Sequence, residues 1–293
     1  MLNSLARCKP FLGTFVDVTL SGQSSNKELI SISNSIFEEI SRIHNMMGFH
    51  EPSSELSQLN KAMLTNSNTS IDISVDMQKV LKLALNLSTL SDGLFDVSIA
   101  PVLVMDKQLP NHLQLNTDQN FIETLGNYHH LKITDNSIVN ERPVCIDLGG
   151  IAKGYAVDCA IKKIPTDIEY SINAGGDLAI SNWEKQQVAL QYGKSIKALK
   201  SVNMLASSLA TSGSYQHIGS HIIKPKNIAI NSQATPVKFK GCVSVFAHST
   251  MIADALTKIV ILTKPKRAQA ILQKFHAQAI IINRFGFKRM LKT

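Results

Sequence analysis

Alternation of apolar and polar side chains marks the first predicted strand of the chain. In FVDVTL (residues 15–20), Val16, Val18 and Leu20 alternate with polar residues, which is the period of a half-buried strand. Other short apolar runs bounded by turn residues predict further strands. These runs are 131–134, 137–140, 143–147, 169–173, 187–192, 201–206, 242–247 and 279–283. The first two flank a turn and predict a hairpin.

Apolar positions spaced three and four residues apart predict the helices. Residues 27–47 form the clearest case, with a single apolar stripe that would face a sheet. The stripe contains Leu29, Ile32, Ile36, Ile40, Ile43 and Met47. A second helix is predicted over 76–91, where Asp76 would be the cap and Gly93 would end the helix.

The rest of the chain mixes helices and strands without regular alternation. Three more helices are predicted, over 151–164, 250–263 and 265–276. Residues 102–128 have little pattern and are predicted to be irregular. Because several strands are hairpin-like neighbours, the order favours an α+β fold with mixed, largely antiparallel sheets packed with helices.

The length and composition are those of a folded globular protein. Of 293 residues, 44% are hydrophobic and 18% are charged, which excludes the disordered and collagen-like classes. No Pro-, Gly- or Ser-rich linker divides the chain, so we predict one large domain over residues 1–293. The four cysteines show no CxxC spacing, which argues against a zinc site or a disulfide framework.

A net charge of +8 would suit an anionic partner such as a phosphate-bearing cofactor. Nucleic acid is not expected, because the lysines are scattered and no basic cluster is interleaved with aromatic residues. No stretch reaches the roughly 18 apolar residues of a membrane span. The first residues are too few and too polar for a signal-peptide core, and Arg7 argues against a lipid anchor on Cys8. We therefore expect a cytoplasmic protein.

Two pairs of glycines follow predicted strands. Gly149 and Gly150, in IDLGGIAKGYAVD, lie at the entry to a helix, where exposed backbone N–H groups favour an anion such as phosphate. The spacing lacks the GxGxxG pattern of dinucleotide-binding folds, so a tight turn packed on the helix explains it equally well. The second pair, Gly175 and Gly176 in SINAGGDLAI, is equally consistent with a bulge or a sharp bend between strands.

Polar side chains in apolar or small-residue surroundings are candidates for chemistry. LATSGSYQH (209–217) offers several hydroxyl groups around one glycine. Asp254, in MIADALTKIV, is a carboxylate on a mostly apolar helix. A buried carboxylate needs a partner, and Mg²⁺ is one, although the charge could simply complement the helix dipole. For His217 and His221, the local sequence is consistent with either a structural or a catalytic role.

Taken in order, these stretches resemble the ApbE-type FAD:protein FMN transferases, a family also called flavin transferases. The similarity runs through nearly the whole chain, and seven or eight ordered motifs make it highly specific. The segments that look like the family's motifs are FLGTFV, FHEPSSELSQLN, DGLFDVS, IDLGGIAKGYAVD, NAGGD, ATSGSY, GSHIIKP and ADALTK.

The resemblance implies a reaction. In this family, Mg²⁺-dependent cleavage of the pyrophosphate of FAD passes FMN to a threonine hydroxyl of an acceptor flavoprotein and releases AMP. A divalent ion and backbone N–H groups would stabilise charge on the transferred phosphoryl group while an aligned hydroxyl attacks in line. FAD would thus be the substrate, Mg²⁺ the cofactor and a flavoprotein the partner.

The resemblance also implies roles for individual residues. Asp254 would be the side-chain metal ligand, with the carbonyl of Ala152 and Thr257 completing the metal site. His221 would assist proton transfer, so His221 and Asp254 are the expected catalytic residues. The expected FAD-binding residues are Leu12, in place of the family's Met, His50, in place of its Tyr, and Leu94, Phe95, Asp96, Gly149, Lys153, Tyr155, Gly175, Gly176, Ser212, Gly213 and Ile223.

Two residues depart from the family pattern. Lys224 replaces the Asp of the family's HIIDP loop and reverses a charge there. Lys258 stands where the family has a second metal ligand, a Thr four residues after the Asp. Positions three and four after Asp254 share its helical face, so either Thr257 reaches an ion or the Lys258 ammonium occupies the place of the cation.

These departures keep two alternatives to the transferase open. One is a non-catalytic FAD-binding protein of the same fold, in which lysines supply the charge that Mg²⁺ otherwise brings. The other is an FAD pyrophosphatase that yields FMN and AMP with water as the acceptor. Metal dependence distinguishes the first alternative from a transferase, and the need for an acceptor protein distinguishes the second.

Overall fold

A computed structural model describes residues 2–192, 199–213, 223–224, 235–237 and 239–292. Within them, helices pack with antiparallel sheets, which confirms the predicted α+β class. The chain divides into two compact units. Unit 1 comprises Met1–His44, Lys153–Ile222 and Val237–Thr293, and unit 2 comprises Asn45–Ala152 and Ile223–Pro236. The single domain expected over residues 1–293 stays a prediction.

Unit 1 is built on an eight-stranded sheet in which every neighbouring pair is antiparallel. From edge to edge, its strands are β1 (Asn3–Phe11), β2 (Thr14–Gly22), β6 (Glu169–Ala174), β7 (Asp177–Ile180), β10 (Ser208–Gly213), β13 (Gly241–Ala247), β14 (Gln278–Asn283) and β15 (Lys288–Leu291). Four of them, β2, β6, β13 and β14, are confirmed predictions. The sequence pattern misses the other four.

The helices of unit 1 match the predicted ones. They are α1 (Asn26–Met47), which continues into unit 2, α6 (Ala152–Ile161), α7 (Thr250–Leu262) and α8 (Pro265–Lys274). The apolar stripe of α1 packs on the sheet as expected, because Leu29 and Ile36 share a buried core with Val18 and Ile172. Burial of this stripe is what a helix of this pattern gains by lying on a sheet.

A hairpin of unit 1 packs against further residues of the large sheet. It consists of β8 (Gln187–Gln191) and β9 (Leu199–Asn203), which overlap the strands predicted at 187–192 and 201–206. Its residues Leu190 and Val202 share a second core with Phe246 of β13 and Ile280 of β14. The seven residues of β13 are all buried, as expected for a strand that reads as a continuous apolar run.

Unit 2 contains, among the described residues, four α-helices and five short strands. Its helices are α2 (Glu55–Thr65), α3 (Val75–Leu90), α4 (Ala100–Met105) and α5 (Gln119–Thr124). Its strands are β3 (Ser70–Asp72), β4 (Leu131–Ile133), β5 (Ser137–Asn140), β11 (Ile223–Lys224) and β12 (Thr235–Pro236). The β4–β5 hairpin is confirmed, β3 adds to its other edge, and β11 pairs with β12.

Three predictions in unit 2 are wrong. Residues 143–147 are not a strand, because both backbone groups of Ile146 pair with the amide of Asn60, at 2.8 Å each, rather than with a neighbouring strand. The cap of α3 is Ser74, whose hydroxyl accepts the Met77 N–H, and not Asp76. Residues 102–128 are not wholly irregular, since they contain most of α4 and all of α5, two helices too short to show a period.

None of the helices among the described residues is long and apolar enough to cross a membrane.

Candidate functional site

Lys153 lies between two buried carboxylates in unit 1. Its Nζ atom is 2.7 Å from Oδ2 of Asp177 and 3.4 Å from Oδ2 of Asp254. The two aspartate side chains are only 3% and 1% exposed, so their charges depend on ion pairs rather than on water. Three elements bring these groups together: α6 carries Lys153, β7 begins with Asp177, and α7 carries Asp254.

Lys258 supplies a second cation to the same place. It follows Asp254 by one turn of α7, and its ammonium group contacts the carboxylate atom Oδ1 and, at 3.0 Å, the carbonyl oxygen of Asp254. Both oxygens of this carboxylate are therefore paired with ammonium groups. We call Lys153, Asp177, Asp254 and Lys258 the Lys–Asp cluster. With all four groups ionised, it has no net charge.

Burial and ion pairing perturb the pKa values in the Lys–Asp cluster. Burial acts to raise the pKa of Asp254, but Lys153 and Lys258 together outweigh it and hold that pKa below its usual value. Burial and the Asp254 charge raise the pKa of Asp177 to about 6, against the attraction of the two lysines. Burial acts to lower the pKa of Lys153, but the two carboxylates raise it above its usual range. Lys153 and Asp254 are therefore both charged at neutral pH.

Two hydroxyl groups adjoin the Lys–Asp cluster. Oγ1 of the buried Thr257 donates to the Asp254 carbonyl oxygen at 2.7 Å and lies 2.7 Å from Oγ of Ser212. A threonine hydroxyl has one proton, so Ser212 is the donor in the second bond. These bonds tie the end of β10 to α7, and they place a residue of ATSGSY beside ADALTK.

The signature helix α6 also fixes the start of α7. The carboxylate of Asp158 accepts hydrogen bonds from Ser249 Oγ at 2.6 Å and from the backbone N–H groups of Thr250 and Met251 at 2.7 and 3.1 Å. At Gly154, an added Cβ would clash with the Thr250 carbonyl and would lie 2.7 Å from Cα of Met251. Only glycine allows the two helices to approach this closely.

The second glycine pair forms a hairpin turn. Ala174 of β6 pairs with Asp177 of β7, and the two residues between them, Gly175 and Gly176, have φ angles of +63° and +102°. A two-residue turn with both φ angles positive matches the right-handed twist of the strands. Asn173 stabilises it, because its Oδ1 accepts the Gly176 N–H at 2.9 Å. The turn thus delivers Asp177 to Lys153.

The β1–β2 hairpin presents Leu12 in an uncommon conformation. Leu12 and Gly13 form its two-residue turn, with φ angles of 57° and 70°. The left-handed region is uncommon for a residue with a Cβ atom, and such an outlier draws attention to a site. Together with neighbouring residues 10–15 and His44, Leu12 lines an open cavity of about 370 Å³. Leu12 is partly buried and packs against the core that α1 forms with the sheet.

In unit 2, the segment 94–96 follows α3. Phe95 is buried, and its N–H donates to Ser91 Oγ. Asp96 Oδ1 accepts hydrogen bonds from the N–H and the hydroxyl of Ser98, at 2.9 and 2.6 Å. Burial raises the pKa of Asp96 to about 6, against the lowering effect of those hydrogen bonds. Local hydrogen bonds thus hold the Asp96 carboxyl group in place, and burial brings its pKa close to neutral pH.

The first glycine pair lies in a turn just before α6. The N–H of Gly149 donates to Oδ2 of Asp147 at 3.0 Å, so this N–H faces a carboxylate of its own chain. Burial raises the pKa of Asp147, against the lowering effects of Gly149 and of the exposed His50. The structure thus gives this pair a role in turn formation, which leaves its predicted role in FAD binding untested.

Comparison with known sequences identifies the family. The ApbE family model matches residues 12–282. The chain belongs to the ApbE family. A curated FAD:protein FMN transferase of Vibrio cholerae is 24% identical over 302 residues, which cover 95% of this chain and 88% of that protein. The sequence resemblance to flavin transferases is confirmed.

Solved ApbE structures share the fold. The flavin transferase ApbE from Vibrio cholerae has a TM-score of 0.80 at 21% identity and covers 99% of this chain and 97% of its own. The Pseudomonas stutzeri flavinyl transferase ApbE, in its apo form, has a TM-score of 0.80 at 19% identity, with 99% and 95% covered. These similarities support the α+β architecture described above.

Unit 1 brings together residues from four ApbE motifs. These residues are Lys153 of IDLGGIAKGYAVD, Asp177 of NAGGD, Ser212 of ATSGSY, and Asp254 and Thr257 of ADALTK. Of the other expected residues, Tyr155 is buried on α6, Ala152 begins α6 and Gly213 ends β10. Their roles in binding FAD or metal stay predictions.

Of the GSHIIKP motif, only Ile223 and Lys224 are among the described residues. His221, the expected proton acceptor, lies outside the described residues. Ile223 and Lys224 form β11, of which only the backbone is described. The proposed roles of these residues are therefore matters for experiment.

Sequence reasoning missed the structural importance of two aspartates. Asp177 pairs with Lys153, and Asp158 anchors α7, yet neither was among the expected site residues. Their position in the sequence could have identified them, because each is the last residue of a family motif, NAGGD for Asp177 and IDLGGIAKGYAVD for Asp158.

The residues expected to hold Mg²⁺ do not fit that ion in their present arrangement. Both carboxylate oxygens of Asp254 are paired with ammonium groups, and the hydroxyl of Thr257 already donates one hydrogen bond and accepts another. Within the described residues, no group of three or more His, Cys, Asp or Glu side chains could hold a metal ion. The metal-ligand roles of Ala152, Asp254 and Thr257 stay predictions.

Proposed function

We propose that this chain transfers the FMN half of FAD to a threonine hydroxyl of an acceptor flavoprotein and releases AMP. The observation that supports the proposal most is the meeting of four ApbE motifs at the Lys–Asp cluster. The curated relative named FAD:protein FMN transferase supports FAD as the donor and a protein as the acceptor.

In the proposed reaction, one phosphorus–oxygen bond replaces another. The threonine Oγ forms a bond to the FMN phosphorus as the bond from this phosphorus to the bridging oxygen breaks. AMP leaves with the bridging oxygen, and the threonine proton goes to a base, for which His221 is our candidate. The in-line geometry requires that the protein orient both the pyrophosphate and the hydroxyl.

Lys153 is the described residue best suited to bind the pyrophosphate. It is charged at neutral pH because two carboxylates raise its pKa, and its side chain is 28% exposed. An ammonium group that is held in place before the reaction can stabilise negative charge without reorganising. The hydrogen bonds of Asp158 and the close helix contact at Gly154 fix the position of α7 against α6, and so hold Asp254 beside Lys153.

A non-catalytic FAD-binding protein is the second candidate. The ion pair between Lys258 and Asp254 favours it, because a carboxylate already paired with a lysine has less affinity for a catalytic cation. The third candidate, an FAD pyrophosphatase, would use the same groups with water as the acceptor.

One experiment distinguishes the three. Purified protein is incubated with FAD and a flavoprotein fragment that carries the target threonine, with Mg²⁺ or with EDTA, and AMP and the fragment mass are measured. The matched control is the same fragment with its target threonine replaced by valine. A mass gain of one FMN on the threonine fragment alone supports the transferase. AMP with both fragments and no mass gain indicates a pyrophosphatase, and retained FAD without AMP indicates a binding protein.

A further inference from the structure

The charge balance of the Lys–Asp cluster depends on Lys258. The cluster has two carboxylates, on Asp177 and Asp254, and two ammonium groups, on Lys153 and Lys258. Without Lys258, two buried carboxylates would share one cation and leave an excess negative charge. Buried charge is stable only when it is paired or bound to a cation, so a chain without this lysine would need an ion from solution.

The geometry gives the Lys258 ammonium the coordination of a bound cation. It contacts a carboxylate oxygen and the carbonyl oxygen of Asp254, two hard oxygen atoms of the kind that Mg²⁺ prefers. Its place four residues after Asp254 on α7 favours this contact, because such residues are neighbours on a helix face. Its side chain is 19% exposed, so it is largely enclosed.

We propose that Lys258 is a tethered internal cation that takes the place of a divalent metal ion at Asp254, so that FAD binding and FMN transfer by this chain do not require Mg²⁺. The statement about FMN transfer rests on the proposed function. The statement that Lys258 takes the place of a metal ion concerns only the affinity of the chain for a cation. Because an ammonium group has three N–H donors, it can contact Asp254 twice and still donate a hydrogen bond to a phosphate oxygen of the ligand.

The first measurement is the affinity for Mn²⁺, used as the probe for a divalent ion, by titration calorimetry and by the electron paramagnetic resonance signal of free Mn²⁺. The proteins compared are the wild type, Lys258→Thr, and a control, Lys266→Thr, which changes an exposed lysine on α8. We expect Lys258→Thr to bind one Mn²⁺ at least about tenfold more tightly than the wild type, since a tethered competitor has been removed. The control should bind as the wild type does.

A conservative set of variants separates charge from shape. Lys258→Arg keeps a cation and should bind Mn²⁺ as weakly as the wild type, whereas Lys258→Gln removes the charge and should bind it more tightly. Circular dichroism spectra and melting curves identify any variant that fails to fold, and the Gln variant then replaces the Thr variant in the comparison. Equal Mn²⁺ affinity in the wild type, Thr and Gln proteins would overturn the inference.

The second measurement is AMP release from FAD with the threonine fragment in EDTA. The wild type should release AMP equally well in EDTA and in Mg²⁺, whereas Lys258→Thr should lose its activity in EDTA and regain it with Mg²⁺. Loss of wild-type activity in EDTA would overturn the metal independence of transfer. If no protein releases AMP under any condition, the proposed function fails, while the Mn²⁺ affinities still decide whether Lys258 excludes the ion.

Discussion

The Asp158 carboxylate accepts the backbone N–H of Thr250 at 2.7 Å, so a side chain from α6 caps the first turn of α7. Ser249 Oγ and the Met251 N–H bond to the same carboxylate. A negative charge at a helix N-terminus satisfies unpaired N–H groups and complements the helix dipole.

Replacing Asp158 with alanine should lower the free energy of unfolding by about 2–3 kcal/mol, because three hydrogen bonds to one charged group are lost. Asp118→Ala is the matched control. Asp118 is an exposed aspartate that caps the short helix α5, and its loss should cost about 1 kcal/mol or less. Urea denaturation measures both changes. An equal, small effect of the two substitutions would contradict a special role for Asp158.

Gly154→Ala should destabilise the protein by about 1–3 kcal/mol, although alanine is the better helix former. The added methyl group would clash with the start of α7 at Thr250 and Met251. Ser31→Ala, on an exposed position of α1, is the control and should leave the melting temperature unchanged or slightly raised. If Gly154→Ala also raises the melting temperature, the close contact between α6 and α7 is not tight.

Asn60→Ala should cost about 2–4 kcal/mol, since it leaves both the N–H and the carbonyl of the buried Ile146 without a partner. Asn66→Ala controls for loss of an exposed asparagine, whose side-chain amide donates a hydrogen bond to the Thr65 hydroxyl at 3.2 Å. The measurement is the denaturant midpoint of each variant. A cost for Asn60→Ala no larger than that of the control would refute its role in holding 143–147.

Asp96 should make stability fall as pH rises from about 4 to about 6. Burial raises its folded-state pKa to about 6, above the unfolded value of about 4. Between these values the folded state binds more protons than the unfolded state, so raising the pH favours unfolding, by at most about 3 kcal/mol in total. Asp177, whose pKa is also raised to about 6, contributes with the same sign.

Asp96→Asn should therefore flatten the dependence of the unfolding free energy on pH in this window. Denaturation curves at several pH values between 4 and 7 provide the measurement. The exposed Asp72→Asn variant controls for the loss of one negative charge. An unchanged slope in Asp96→Asn would show that Asp96 titrates alike in the folded and unfolded states.

Local patterns predicted the fold where one segment determines its own structure. The stripe of α1 fixed the helix and its buried face, because Leu29 and Ile36 lie at helical spacing within the segment itself. The apolar run around Ile146 predicted a strand that does not form. Such a run looks the same in the sequence whether its backbone pairs with another strand or, as here, with a side chain 86 residues away. Helices as short as α4 and α5 carry too few residues for a period.

The candidate site was predictable as a set of motifs but not as a set of contacts. The resemblance pointed to Lys153 and Asp254, and together with helical spacing it also predicted that either Thr257 or the Lys258 ammonium takes part in the metal site. The pairing of Lys153 with Asp177 joins α6 to a hairpin turn, and no local pattern encodes such a contact. The cytoplasmic location, the threonine target and the release of AMP stay predictions.

The order of strands in the large sheet has a consequence for the chain as it is made. β2 pairs with β6 through Val16 and Ala174, so the chain must be synthesised through residue 174 before that ladder can be complete. During this interval, β1 pairs with β2 on one side, while the other edge of β2 keeps its backbone N–H and C=O groups unpaired. An unpaired strand edge is a template for pairing with another chain, so the nascent β1–β2 hairpin is open to such pairing until β6 has been synthesised.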